Sequence, residues 1–206
     1  MKKVVNVLVL ISIFFPVKAQ EIRERPIEKK GGFKKENLFV GGDLTLGFSN
    51  SYTALGISPY FGYSVNKYLD VAVSANVNYT SQRDYIVYGD KVRQTVYGPG
   101  AFVRVYPVRF LFAQAQYEHN FINVKYLPAD NSGYLKTTER VDANSFLVGA
   151  GWAGGRSEDN KSFYYISVSW DLLRNENSPY VDGLKRAIPI FKAGYNIALF
   201  QGRGNR

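Results

Sequence analysis

The sequence predicts an all-β fold in which eight antiparallel strands close into an up-and-down barrel that crosses a membrane. Three observations support this prediction: alternating residue character, the lengths of the connections, and the positions of the aromatic residues. Alternation is clearest over residues 68–80, where Val71 and Val73 share one face and Ser74 and Asn76 the other. A soluble sheet would present Lys, Glu and Arg to water. Small polar residues instead fit the crowded interior of a narrow barrel with an apolar exterior.

The first residues have the features of a cleaved signal peptide. Lys2 and Lys3 precede an apolar run over 4–17, and small residues stand before a predicted cleavage after Ala19. The run is too short to cross a membrane comfortably and contains Pro16, which disfavours the alternative of a membrane anchor. We therefore predict a signal peptide over residues 1–19.

Charge and cysteine content exclude several classes of protein. The 206 residues contain no Cys, which excludes disulfides and thiolate metal sites. The net charge is +9, and the excess lies in two predicted tails, a flexible charged periplasmic tail at 20–36 and a basic C-terminal tail at 201–206. Because the positive charge lies in the tails, we predict that it contacts anionic lipid headgroups or another envelope polyanion. Because no strand carries a basic stripe, we predict no binding of nucleic acid.

Eight segments alternate in this way between residues 37 and 200, the predicted barrel domain. Each has a row of mainly apolar residues on one parity and Gly, Ser, Asn or Tyr on the other. In chain order they are residues 38–49, 53–65, 68–80, 94–106, 110–123, 144–154, 162–173 and 189–200. The apolar rows include Leu44 and Leu46, Ile57 and Phe61, Val71 and Val73, Val103 and Val105, Leu111 and Tyr117, Phe146 and Val148, Ile166 and Val168, and Phe191 and Ile197. Segments of about ten residues are long enough to cross a bilayer at a tilt.

The connections fall into two length classes. Those after the second, fourth and sixth strands are short, whereas residues 81–93, 124–142 and 174–188 form long ones. An even strand number puts both termini on one side. The short connections are then periplasmic turns and the long ones extracellular loops.

Aromatic residues concentrate near the predicted strand ends, as at two lipid–water interfaces. The outer girdle is Phe48, Tyr79, Tyr97, Phe121, Phe146, Trp170 and Phe191, and the inner one includes Tyr63, Tyr68, Trp152 and Tyr164. The alternative is a soluble sandwich with scattered aromatic residues. Two prolines fit neither picture well, because a closed barrel has no edge strand to accommodate them. We predict a bulge or kink around Pro99, and the pattern gives no account of Pro59.

These features resemble the small eight-stranded outer-membrane barrels, the family of outer-membrane protein X and of the barrel domain of outer-membrane protein A. The resemblance covers residues 38–200 and rests on strand number, alternation, turn asymmetry and girdles. It implies residence in the outer membrane of a Gram-negative bacterium. The chain departs from the family at its end, because Phe200 is followed by six polar residues where many such barrels end on an aromatic residue.

Six charged side chains are predicted to point into the lumen and to pair with one another or with interior polar groups. They are Asp43, Asp70, Arg104, Glu118, Asp171 and Lys192. Eight strands leave an interior barely wide enough for side chains, so no open channel is expected. His119, the only histidine, has no nucleophile at a distinctive spacing and is predicted to be an interfacial side chain. The pattern indicates no catalytic residue, metal site or cofactor.

The extracellular loops 81–93, 124–142 and 174–188 are candidate contacts for an extracellular or envelope protein, with the alternative that they are solvated loops. In the first case strands three to six continue past the membrane as hairpins of a protruding sheet, whose exposed edges favour strand addition. The loop tyrosines are Tyr85, Tyr88, Tyr126, Tyr134 and Tyr180. We predict a non-enzymatic outer-membrane barrel, in contact with outer-membrane lipid, that acts in envelope integrity or surface interaction. The alternatives are a rim-active acyltransferase- or protease-like enzyme and a soluble secreted lipocalin-like carrier.

Overall fold

The computed structural model describes residues 32–48, 50–157, 161–182 and 184–200. They form a closed barrel in which every strand is antiparallel to its neighbours and β8 pairs with β1. The strands are β1 Leu38–Phe48, β2 Tyr52–Asn66, β3 Leu69–Arg83, β4 Lys91–Val108, β5 Leu111–Leu127, β6 Thr137–Gly154, β7 Phe163–Asp171 and β8 Ile190–Ala198, preceded by a 3-10 turn at Lys35–Asn37. The predicted fold class is confirmed. Within the described ranges, no helix has the length and apolar character needed to cross a membrane.

Three predicted segments lie wholly or mainly outside the described residues. They are the signal peptide at 1–19, the tail at 20–36 except for its last five residues, and the basic tail at 201–206.

The barrel wall has the predicted polarity, apolar outside and polar inside. Val73 is 61% exposed and Ile166 59% exposed, whereas Asn76 is only 2% exposed. A water-soluble protein seldom shows so continuous an apolar surface. The wall is therefore built to contact lipid acyl chains, and the lumen holds the Gly, Ser and Asn side of each strand.

Aromatic side chains fill one part of the lumen. A buried cluster comprises Phe39, Tyr60, Ala72, Phe102, Tyr106, Phe112, Ala153, Phe163 and Tyr165. The rings meet edge to face, with centroids 5.2 Å apart for Tyr60 and Phe102. Rings also lie over inward-facing glycines of other strands, since a Cβ at Gly62 would overlap the Phe39 ring and one at Gly151 the Phe112 ring. The abundant inward glycines therefore make room for the aromatic rings.

Strand lengths divide the barrel into a low side and a tall side. β4, β5 and β6 have 18, 17 and 18 residues, whereas β7 and β8 have 9 each. About 9–11 residues suffice to cross a membrane. The outer ends of the long strands therefore form a sheet that rises beyond the barrel wall.

β5 and β6 extend further into residues 124–142 than the segments 110–123 and 144–154 predict, and they continue past the barrel wall as a hairpin. Val124 pairs with Glu139, and the hairpin closes only between Leu127 and Thr137. A hairpin above the membrane meets water on both faces, so its strands need no apolar row. The alternation used to locate strands is therefore absent there.

Both unusual prolines lie where a ladder between strands is interrupted. The β2–β3 register leaves out two pairs, Ser58 with Asn76 and Pro59 with Ala75. The β4–β5 register likewise leaves out Gly98 with Asn120 and Pro99 with His119. The register is unchanged across each gap, so the predicted bulge at Pro99 is wrong. Backbone parity explains both gaps, because the missing N–H of Pro59 faces β3 and that of Pro99 faces β5.

The polarity of the wall predicts a depth-dependent cost of charge. Val73→Arg places a cation near the middle of the apolar band and should lower the free energy of unfolding by about 2–4 kcal/mol, whereas Val65→Arg, near the inner end of β2, should cost about 0–1 kcal/mol. Reversible urea unfolding in phosphatidylcholine vesicles measures both. Equal costs for the two variants would contradict a membrane-spanning wall.

Candidate functional site

The lumen brings together five of the six predicted charged residues and the loop after β7. Lys192 extends from β8 between two carboxylates, with its Nζ 3.7 Å from Asp43 Oδ2 and 3.9 Å from Glu118 Oε1. Tyr165, on β7, reaches over Gly194 of β8 and donates its hydroxyl proton to Asp43 on β1. These contacts link four strands across the barrel axis.

Arg104 occupies a cage of aromatic rings. Its guanidinium carbon lies 4.4 Å from the centroid of Tyr165, 4.5 Å from that of Phe112 and 4.9 Å from that of Phe102. Its Nε donates to Gln114 Oε1 at 2.9 Å. Ring faces attract a desolvated cation, so the aromatic cluster both fills the lumen and holds its arginine.

Asp70 is the sixth charged residue and interacts electrostatically with Tyr60 and Tyr106 of the aromatic cluster. It lies opposite Arg104 in the β3–β4 register and is 1% exposed. Its Oδ1 has no hydrogen-bond partner among the described residues.

Glu118 is the centre of a second group of contacts. Its carboxylate accepts hydrogen bonds from Gln116 Nε2 at 2.7 Å, from the Tyr180 hydroxyl at 2.8 Å and from Asn76 Nδ2 at 3.3 Å. Asn120 Nδ2 donates at 3.4 Å to Glu118 Oε2, the oxygen that also accepts from Tyr180 and Asn76. Neutral donors therefore supply most of the stabilisation of this buried charge.

The β7–β8 loop folds into the outer mouth of the barrel. Ser178 donates to Asp171 Oδ2 at 2.6 Å, and its Oγ lies 3.0 Å from that of Ser145. Asp171 Oδ1 also accepts the backbone N–H of Phe146 at 3.0 Å. With Tyr180 bonded to Glu118, these contacts close the lumen from the outside.

Tyr180 was predicted to be an extracellular contact, but its hydroxyl is directed into the lumen, where it donates to Glu118. Inward parity could have identified Asn76, Asn120 and Ser145 as members of this network. No sequence pattern marks Ser178, because it lies in an irregular loop.

The outer face retains three exposed tyrosines from the predicted set, namely Tyr85, Tyr88 and Tyr134. Tyr126 is half-buried and donates its hydroxyl proton to Asp90 Oδ2 at 3.0 Å. Asp90 also accepts the backbone N–H groups of Tyr85 at 2.6 Å, Ile86 at 2.8 Å and Val87 at 3.0 Å. This carboxylate holds the β3–β4 loop in shape.

The aromatic girdle residues lie on the outer wall. Aromatic pairs occur at both ends, a tilted pair of Tyr97 and Phe121 with centroids 5.6 Å apart and an edge-to-face pair of Trp152 and Tyr164 with centroids 5.5 Å apart. The other exposed members are Tyr68, Tyr79, Phe146, Trp170 and Phe191, Tyr63 is half-buried, and the side chain of Phe48 lies outside the described residues.

His119 is tied to its neighbours on the same wall. Its Nδ1 lies 2.7 Å from Asn144 Oδ1, and its ring meets that of Phe121 edge to face at 4.7 Å. Ser145, on the neighbouring strand, points into the lumen and is fully buried, so it does not pair with His119 as a nucleophile. Within the described part of the chain, no group of three acidic or His side chains could hold a metal ion.

One strand has an open edge beyond the end of the barrel wall. β6 pairs with β7 only from Leu147↔Asp171 onward, although β6 begins at Thr137. The Phe146 C=O accepts the Leu172 N–H, so even-numbered residues of β6 direct their backbone groups away from β5. Arg174, with φ 49°, then turns the chain away. The backbone N–H and C=O groups of residues 138, 140, 142 and 144 therefore face a side of β6 on which no described strand pairs with them.

Comparisons with known proteins find similarity of fold. No protein-family model matches the chain, and no curated protein matches it significantly. The N-terminal β-barrel domain of Pseudomonas aeruginosa OprF is similar with 14% identity and TM-score 0.41, covering 78% of this chain and 95% of that one. Neisserial surface protein A is similar with 12% identity and TM-score 0.44, covering 79% of this chain and 97% of that one. Ail, the attachment invasion locus protein of Yersinia pestis, was solved with the heparin analogue sucrose octasulfate. It is similar with 9% identity and TM-score 0.43, covering 78% of this chain and 96% of that one.

The position of Lys192 predicts a large effect of its removal. Lys192→Met leaves Asp43 and Glu118 buried without their shared cation and should cost about 3–5 kcal/mol of unfolding free energy. Lys67→Met, at the exposed β2–β3 turn, should change stability by less than about 0.5 kcal/mol. Adding Asp43→Asn to Lys192→Met should recover part of the loss. Additive costs in urea unfolding would contradict the coupling.

Asp90 predicts a pH dependence of the β3–β4 loop. Desolvation alone would raise the pKa of Asp90, but the hydrogen bonds from Val87, Ile86 and Tyr85 outweigh it and hold the pKa below its usual value. The stabilisation is thus complete above about pH 4 and is lost as the pH falls through the folded-state pKa.

Amide-exchange protection factors for these three N–H groups, measured by NMR, test this dependence. Protection should be unchanged between about pH 7 and pH 5 and fall below about pH 4. Asp90→Asn should reduce it at every pH, because an amide offers one acceptor oxygen in place of two. Equal protection at about pH 2 and pH 6 in the parent protein would rule out this role for the carboxylate.

Proposed function

We propose that this chain is an integral outer-membrane barrel of a Gram-negative bacterium that binds a partner polypeptide at the cell surface through the open edge of β6. The open edge is the observation that carries the proposal. In this view the protein acts without enzymatic chemistry, in surface interaction or envelope integrity, and export by the cleaved leader at 1–19 belongs to the proposal.

Lipid contact is supported by the apolar outer wall, its aromatic girdles and the polar lumen. A band of exposed aliphatic residues between aromatic rings matches the acyl region and its two interfaces. With both termini periplasmic, the short turns after β2, β4 and β6 lie inside and the tall β3–β6 sheet projects outward.

An unpaired edge of four alternating backbone positions is suited to an added strand. Main-chain hydrogen bonds would supply affinity, and side chains on the two faces would supply selectivity. Glu139, Arg140 and Asp142 are exposed along this edge, so we expect an extended partner segment with polar and charged side chains. Tyr85, Tyr88 and Tyr134 add exposed aromatic surface on the neighbouring loop tips. The loops 81–93, 124–142 and 174–188 therefore remain candidate contacts, the last through its exposed residues, since only Ser178 and Tyr180 of its described residues bond inside the lumen.

The two alternatives fit the geometry less well. A ligand carrier needs an apolar cavity inside the barrel, and this lumen is occupied by a charged network and packed aromatic rings. A rim-active enzyme needs a nucleophile paired with a base. His119 is instead bonded to Asn144 and packed on Phe121.

Proline substitution tests the edge directly. Arg140→Pro removes one outward-facing N–H while leaving the β5 ladder intact, because proline is tolerated where the N–H faces away from the sheet. It should abolish partner binding, whereas Arg140→Ala, which keeps the N–H, should retain most of it. Binding is measured by cross-linking on intact cells that display each variant, with heat-modifiable gel migration as the check of folding. Equal loss in both variants would indicate side-chain recognition and contradict strand addition.

A further inference from the structure

The seam between the first and last strands is open at its outer end. Pairing of β1 with β8 stops at Leu44↔Ala193, although β1 continues to Phe48 and β8 begins at Ile190. Each strand remains paired on its other side over this stretch, β1 with β2 through Phe48↔Thr53 and β8 with β7 through Ser169↔Ile190. The separation is therefore local to the seam and is not a frayed end of either strand.

Backbone parity shows which pair is missing. Leu38 accepts the N–H of Leu199, so even-numbered residues of β1 and odd-numbered residues of β8 face each other. Continuing the register would set Leu46 against Phe191 as the next hydrogen-bonded pair. Both residues carry an N–H, so the pair is not prevented by a proline within it.

A cavity of about 270 Å³ lies at this opening. Its lining includes residues of the lipid-facing rows, Leu46 and Phe191, and residues of the lumen, Asn78 and Lys192. A space lined from both faces of a barrel wall passes through that wall. It is further bordered by apolar residues at the start of β8 and in the loop before it, notably Ile190.

The size and position of the cavity indicate its occupant. Leu46 is 62% exposed and Phe191 67% exposed, so the entrance is continuous with the surface that contacts acyl chains. The volume is slightly below the ~300–1,000 Å³ of typical small-molecule sites, which suits part of a single chain and excludes a whole lipid.

We propose that the outer end of the β1–β8 seam binds one acyl chain of a membrane lipid, which enters laterally between Leu46 and Phe191. This site rests on the proposed membrane location of the barrel. The inserted chain covers the apolar lining with methylene groups.

Gly47 offers a way to fill the cavity without strain. A Cβ at this position would lie 3.5 Å from Ala54 Cβ and 3.6 Å from Tyr52 Cε1, which are ordinary contacts, and Gly47 borders the cavity. Gly47→Val therefore occupies space that the acyl chain would use. Gly42→Val is the matched control, because Gly42 lies on the lipid-facing parity of the same strand and a Cβ there meets nothing closer than 3.6 Å.

The experiment uses the full mature chain folded into phosphatidylcholine vesicles that contain a phosphatidylcholine with a diazirine near the end of one acyl chain. After irradiation, mass spectrometry maps the labelled residues. The parent protein should carry label on lumen-side lining residues, including Asn78 and Ile190. Gly47→Val should reduce that labelling about tenfold, as expected from lost burial of about two methylene groups. Gly47→Ala should reduce it less, and Gly42→Val should leave it unchanged.

Three results would overturn the site. They are label confined to outward residues such as Leu46 and Phe191, equal lumen-side label in Gly47→Val and the parent, and cross-links that join two copies of the chain through the seam. Heat-modifiable migration confirms that each variant is folded, and Gly47→Ala provides the comparison if Gly47→Val does not fold. Vesicle flotation separates the two proposals, because a folded chain that fails to float contradicts the membrane location itself.

Discussion

The structure depends on one constraint, which is that a chain in lipid must pair its backbone hydrogen-bonding groups with one another. Eight antiparallel strands meet it by closing on themselves, with β8 returning to β1. Closure fixes the period-two pattern, because each strand then has one face toward lipid and one toward the lumen. It also makes the lumen narrow, so its side chains are selected for packing.

The narrow lumen explains the arrangement of its charges. Four carboxylates and two cations point inward, so the cations alone do not compensate the acids. The remaining stabilisation comes from hydrogen-bond donors, including Tyr165 on Asp43, Gln116 on Glu118 and Ser178 on Asp171. Two of the donors, Ser178 and Tyr180, come from the β7–β8 loop. The inward fold of that loop is therefore part of the charge network and follows from the excess of buried acid.

The sequence was informative wherever one face of a strand meets lipid. The parity of β3 and β7 follows from rows such as Val71 with Val73 and Ile166 with Val168, and parity alone placed all six charged residues in the lumen. Residue alternation gives no strand signal where that contrast disappears. The outer end of β6 is exposed to water on both sides, so Thr137 to Asp142 show no apolar row and resemble a loop. Tyr180 was misplaced because an irregular loop has no periodicity from which to infer its direction.

Pairing between strands is interrupted at two prolines and at the seam between β1 and β8, and the causes differ. At Pro59 opposite Ala75 and at Pro99 opposite His119, the proline has no N–H to give, and the register continues undisturbed on both sides. Such gaps leave one C=O unpaired and are tolerated within an otherwise complete ladder. At the seam, Leu46 and Phe191 each have an N–H and lie within their strands, so their separation has another origin.

The β7–β8 loop borders that opening. It is bonded at Ser178 and Tyr180 to buried carboxylates and reaches the start of β8 through Pro189, which has no N–H to donate to the end of β1. Tyr180 and Pro189 both line the cavity at the seam. The loop conformation that supplies donors to the buried carboxylates therefore also forms part of the wall of the open seam.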